Sequence, residues 1–111
     1  MDRDLEILQG TLDVMVLKTL SWGPRHGYAV AGWIRDTSGE ELRVEDRALY
    51  VALHRLEARG WIESEWGLSE NNRKAKYYQL TRAGRAALRE QVAQFSRYVS
   101  AVQRVLQAVS V

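Results

Sequence analysis

Residues 44–81 read VEDRALYVALHRLEARGWIESEWGLSENNRKAKYYQLT, and the hydrophobic period changes halfway along them. Leu49, Leu53 and Leu56, with Ala52 beside them, fall on one helical face. Glu45 and Asp46 open that helix, where its dipole favours acids, and Gly60 closes it as a C′ residue. Beyond Gly60 the pattern turns to alternation. WIESEW sets large apolar residues against polar ones, and KYYQLT does much the same with two tyrosines and a leucine. GLSENNRKA between them is rich in Gly, Ser and Asn, so the two runs are expected to be the strands of a β-hairpin with a basic tip. Thr81 then caps a new helix beginning RAGRAALRE.

Working upstream, HGYAVAGWIRDTSG gives a short helix through Tyr28, Val30, Ala31 and Ile34 that ends near Gly39. The single proline, Pro24 in SWGPRHGY, marks a turn before it. Residues 5–20 carry Leu5, Leu8, Leu12, Met15, Val16 and Leu20, mostly three or four apart, a helical stripe interrupted by Gly10. Thr11 is a candidate N-cap, and the spacing leaves open whether one helix runs through or a new one starts there. Downstream, Leu88, Val92, Phe95, Val99, Val102, Leu106 and Val109 follow gaps that alternate between four and three. That is a heptad seam, and it continues past the length that a small domain can cover. Self-association through this helix is expected, although the first helix of the same chain is an alternative partner.

The order is helix, helix, helix, hairpin, long helix. This is a mainly α, α+β arrangement: a winged helix-turn-helix over residues 1–81 followed by a C-terminal dimerisation helix over 82–111. In such a fold the third helix enters the major groove of DNA and the hairpin, or wing, lies on the backbone or in an adjacent minor groove. The expected DNA-binding residues are Arg47, Tyr50, His54 and Arg55 on the third helix and Asn72, Arg73, Lys74, Lys76 and Tyr78 on the wing. Arginine binds guanine bidentately, and cations at a hairpin tip reach phosphate and release counterions. Tyr77 and Tyr78 point to opposite faces of one strand, so one packs inward and the other is free to offer its hydroxyl to phosphate. Tyr50 is alternatively half-buried at the joint between helix and hairpin. The acids at 45 and 46 would repel phosphate, so they either point away or orient neighbouring arginines. The expected dimer interface is Leu8, Leu12, Leu88, Val92, Phe95, Val99, Val102 and Leu106.

Charge agrees with this division. Residues 1–70 hold eight Arg/Lys and thirteen Asp/Glu, a balance of −5, whereas residues 71–111 hold eight Arg/Lys and one acid, a balance of +7. The basic side is expected to face a polyanion. A chain of 111 residues with 46% hydrophobic and 27% charged residues is one folded unit. It has no cysteine, which excludes disulfides and thiolate metal sites. MDRDLEILQG has no basic start or apolar run of a signal peptide, and no apolar stretch suffices to span a bilayer, so a cytoplasmic location is expected, with no membrane partner.

Two rival classes are set against the DNA reader. An enzyme would need a catalytic constellation. His26 and His54 lack an acid–base partner pattern, and no Gly-rich phosphate loop, HExxH or GxSxG motif is present, so neither catalysis nor a cofactor is indicated. His26 reads as a structural turn residue. A winged helix used only for protein contact is the second rival, supported by Trp22, Trp33, Trp61 and Trp66. Trp33 is expected to be partly exposed, with the others in core or hairpin packing.

LQGTLDVMVLKTLSWGPRHGYAVAGWI, LYVALHRLEARGWIESEW and RKAKYYQLTRAGRAAL together resemble the PadR family of bacterial transcriptional regulators, over roughly residues 7–90. The "HGY" turn, the "LY.ALHRLE.RG.I.SEW" run and the "KYY.LT..G" run carry the resemblance. Two departures stand out. Val51 occupies a position where the family usually has Pro, and the wing reads NNRKA where it is often Gly- and Arg-rich. Both leave the fold intact and make sequence-specific contacts less transferable. The resemblance implies the compact branch with a single C-terminal helix, and a homodimer in which that helix packs against the partner's N-terminal helix. It implies a palindromic double-stranded DNA operator, usually repression, and in some members release of DNA by a small aromatic or drug-like effector near the dimer interface. By position, Phe95, Val99 and the N-terminal stripe would border such a cavity.

Overall fold

The computed structural model describes residue 7 and residues 10–110. Its elements run α1 (Thr11–Thr19), a 3-10 turn (Leu20–Trp22), β1 (Arg25–His26), α2 (Gly27–Thr37), α3 (Asp46–Ala58), β2 (Ile62–Leu68), β3 (Lys74–Leu80) and α4 (Arg82–Gln107). The question left by Gly10 is answered by its backbone. Gly10 has φ 91° and is itself the N-cap, so Thr11 is the first helical residue and not the cap. Leu5 and Leu8 of the upstream stripe lie outside the described residues.

The core is built from one face of each helix. Val16, Leu17 and Leu20 meet Val30 and Ile34 of α2 and Leu49, Leu53 and Leu56 of α3. Ile62, Tyr78 and Leu80 close it from the hairpin. Burying side chains of this size stabilises the fold by about 1.5–3 kcal/mol each. The sheet is antiparallel in the order β1-β3-β2. Its third strand, β1, was not anticipated from the sequence. Arg25 and His26 pair with Tyr78 and Tyr77.

Local chemistry fixes the joints. His26 is the N-cap of α2, its Nδ1 accepting the Ala29 N–H at 3.2 Å, and its ring stands edge-on to Tyr77 with centroids 5.6 Å apart. Gly60 has φ 78° beyond the C-terminus of α3. Its N–H donates to Glu57 O at 3.0 Å and the Trp61 N–H donates to Leu56 O at 3.1 Å, the paired bonds of a Schellman motif. This delivers the chain from helix directly into β2. Thr81 is the N-cap of α4, accepting the Gly84 N–H at 3.0 Å, while its hydroxyl donates to Gly60 O at 2.6 Å and its own N–H to Trp61 O at 3.0 Å. Gly84 sits so close to this strand that a Cβ there would fall 1.9 Å from the Trp61 carbonyl oxygen. The start of α4 is thereby seated on the joint between α3 and the wing.

Beyond Ala87, which is buried, and Leu88, which packs on the core, α4 carries mostly exposed side chains, with Gln91 and Val99 half-buried. Its stripe of Val92, Phe95, Val102 and Leu106 is exposed, Phe95 at 41% and Leu106 at 77%. Among the described residues, no helix is long and apolar enough to cross a membrane.

Candidate nucleic-acid interface

Helix α3 divides as its period requires. Leu49, Ala52, Leu53 and Leu56 are buried, and Arg47, Tyr50, Val51 and His54 are exposed. Tyr50 combines both alternatives. It is 52% exposed, and its ring packs beside Gly27, where a Cβ would lie 3.1 Å from the phenol oxygen. Glu45 and Asp46 are exposed at the start of α3, and no side chain caps that end.

Arg55 departs from its expected role. Its guanidinium forks onto the Asp13 carboxylate of α1, with Nε donating at 3.1 Å to Oδ2 and Nη2 donating to Oδ1. Asp13 is buried, whereas the Arg55 side chain remains 42% exposed. The hydrogen bond to Asp13 holds the guanidinium even more firmly protonated than usual. Arg55 therefore ties the candidate recognition helix to α1 and is committed to a carboxylate. Sequence reasoning did not single out Asp13. The available signal was an acid inside the apolar run LDVMVL, which needs a cation when buried.

The wing is closed by Ser69 N–H donating to Arg73 O at 2.8 Å and Asn72 N–H donating to Ser69 O at 2.9 Å. Asn72 adopts φ 59°, a left-handed conformation that Asn tolerates, so it shapes the turn while its side chain faces solvent. Arg73 and Lys74 are exposed and Lys76 is half-buried.

Tyr78 is a correction. It is 6% exposed and belongs to the core, so its hydroxyl is not offered to phosphate. Burial, with the Glu57 charge nearby, pushes its phenol above the usual value of 10.0 and keeps it neutral. Tyr77, on the opposite face, donates its hydroxyl to Leu68 O at 2.9 Å. Both tyrosines thus brace the wing. Two of the tryptophans also differ from expectation, whereas half-buried Trp33 and Trp61 agree with it. Trp22 and Trp66 are the exposed pair, while Trp33 and Trp61 pack against the core. Trp22 and Trp33 lie with ring centroids 5.1 Å apart, and the Lys18 ammonium stands 4.6 Å from the Trp22 centroid.

The expected interface residues Leu12, Leu88, Val92, Phe95, Val99, Val102 and Leu106 lie on α1 and α4; Leu8 lies outside the described residues. Phe95, Val99 and Val102 line an open groove of about 530 Å³ with Gly10, Thr11 and Val14.

Three helices, a short third strand and a cation-bearing hairpin beside an exposed helix face define a winged helix-turn-helix. The transcriptional regulator PadR-like family matches residues 16–90, and the chain belongs to that family. A PadR family transcriptional regulator from Eggerthella lenta is similar, with 33% identity and a TM-score of 0.77, covering 91% of this chain and 86% of that one. A transcriptional regulator from Clostridium thermocellum has a TM-score of 0.79 at 26% identity, covering 86% and 93% of the two chains. An uncharacterized protein of Lysinibacillus sphaericus is 30% identical over 91 residues, covering 82% of this chain and 84% of the relative.

Proposed function

We propose that the protein is a homodimeric repressor that binds a palindromic DNA operator and is relieved by a small aromatic ligand. The observation that carries the DNA reading is the shared exposed surface of α3 and the wing. Arg47, Tyr50 and His54 are available on the helix, and Arg73, Lys74 and Lys76 on the hairpin that follows it. The helix is the element that reaches base edges, and the hairpin cations meet phosphate. Dimerisation is supported by the apolar stripe on α4, whose Val92, Phe95, Val102 and Leu106 stay exposed among the described residues. Two copies joined along that stripe would present two recognition helices to successive turns of a duplex, about 34 Å apart. The groove bordered by Phe95 and Val99 is large enough for an aromatic effector and lies beside the proposed interface, so occupancy there would alter the relation of the subunits.

The experiment is a titration of labelled duplex at several salt concentrations. Wild type is expected to bind and to weaken steeply with salt. Changing Arg73, Lys74 and Lys76 together to Ala should weaken binding to every duplex and reduce the salt slope by about three. Unchanged affinity and slope would remove the wing from the interface. A protein-contact module would bind at neither low nor high salt.

A further inference from the structure

The wing has an exposed aromatic that neither the fold nor the cationic contacts explain. Trp66 is 62% exposed and Leu68 is 66% exposed. Along β2, Ile62, Ser64, Trp66 and Leu68 pair in turn with Leu80, Tyr78, Lys76 and Lys74. Alternation puts these eight residues on one side of the hairpin. The inner half of that row is core, because Ile62, Tyr78 and Leu80 are buried and the Ser64 hydroxyl donates to Glu57 of α3 at 2.6 Å. The outer half extends past α3 on the same side. It carries two apolar side chains, each opposite a lysine. The Lys74 ammonium stands 5.4 Å from the Trp66 ring centroid, and that of Lys76 stands 5.9 Å from the Tyr78 centroid.

The other side of the hairpin has the opposite sign. Glu63 and Glu65 alternate there with Tyr77 and Gln79 as their cross-strand partners, and Gln79 Nε2 donates to Glu63 Oε1 at 2.9 Å. A polyanion approaching the wing is repelled from that side and attracted to the side shared with α3. The occupant of the Trp66 surface is therefore selected by charge. It must be anionic along the β3 row, where Lys74 and Lys76 lie, and apolar along the β2 row beside it. The minor groove of a duplex has this character, with phosphates at its edges and deoxyribose walls inside.

We propose that Trp66, with Leu68, is a DNA-contacting residue that lies against a sugar wall of the minor groove flanking the segment entered by α3, while Lys74 and Lys76, both on β3, reach the phosphates of one rim. This rests on the DNA-binding reading above. A contact to sugar releases no counterions, so it adds affinity without steepening the salt dependence, the reverse of a lysine contact.

The test uses the whole protein and a labelled mixed-sequence duplex, with thermal melting recorded for each variant. Trp66→Ala is expected to weaken binding roughly tenfold, the scale of aromatic contacts to nucleic acid, at an unchanged salt slope. Lys74→Ala with Lys76→Ala should instead reduce the slope by about two. Trp66→Phe, which keeps an aromatic ring and protects against misfolding, supplies a second readout. Wild-type tryptophan emission should change on adding duplex, and most of that change should vanish in Trp66→Phe and when a minor-groove-filling dye occupies the duplex first. Wild-type binding with equal affinity in Trp66→Ala, or an emission change that survives in Trp66→Phe or persists on a filled groove, overturns the proposal and leaves the DNA reading standing. Failure of wild type to bind any duplex overturns both.

Discussion

In a helix, Gly to Ala usually gains about 1 kcal/mol. At Gly84 the added carbon would sit 1.9 Å from the Trp61 carbonyl oxygen, so α4 must shift away from the hairpin. Gly84→Ala should destabilise the protein by about 3 kcal/mol or more, measured by urea denaturation. The Asp13–Arg55 pair is asymmetric in burial. Arg55→Ala strands a buried carboxylate and should cost about 3 kcal/mol, whereas Asp13→Ala leaves a guanidinium that water can reach and should cost about 1 kcal/mol. Equal losses in urea would show that the carboxylate rehydrates. Tyr78 gives a pH signature. Its folded-state value lies above the ordinary 10.0, so the unfolded chain loses the phenol proton first. Stability is complete below pH 10 and is lost as pH rises from there through the folded value. Melting temperature should fall in that window for wild type, and Tyr78→Phe should flatten the decline.

Elements were legible in proportion to how strongly one period dominates their sequence. The change at Gly60 from a helical to an alternating pattern located α3, the Schellman turn and β2 together, because a positive φ, a helix end and a strand start coincide there. The two-residue β1 carried no period at all. Its existence depends on Tyr77 and Tyr78 presenting an open strand edge, which is information from elsewhere in the chain. The same gap explains the tyrosines. Strand alternation separates Tyr77 from Tyr78, but only packing decides which meets the core, and the backbone carbonyl of Leu68 at the end of β2 then takes the remaining hydroxyl. The carboxylate partner of Arg55 was not legible for a related reason, since it lies 42 residues away. His26, by contrast, was readable as a turn residue, and its capping bond to Ala29 makes a prediction for α2. His26→Ala should lower stability by about 1 kcal/mol, and His26→Asn, which keeps an acceptor, should recover most of it in the same melts.

On the scale of the molecule, the most uneven feature is α4. Its 26 residues span about 39 Å, and among the described residues its buried side chains fall in the first two turns. If the exposed stripe is the dimer seam, melting temperature should rise with protein concentration. Changing Phe95 and Val102 to Asp should abolish that dependence and yield a monomer in sedimentation. A sedimenting dimer that survives both carboxylates would place self-association elsewhere.

The seat of α4 on Trp61 has a mechanical corollary. The hydroxyl and N–H of Thr81 clasp Gly60 and Trp61, and Gly84 leaves no slack between helix and carbonyl. If two copies join along α4, any swivel of one tail against its mate is geared to the hairpin without a lossy hinge. A wedge of a few degrees between the tails would swing both prongs in opposite senses, and their span would fall out of step with the duplex pitch.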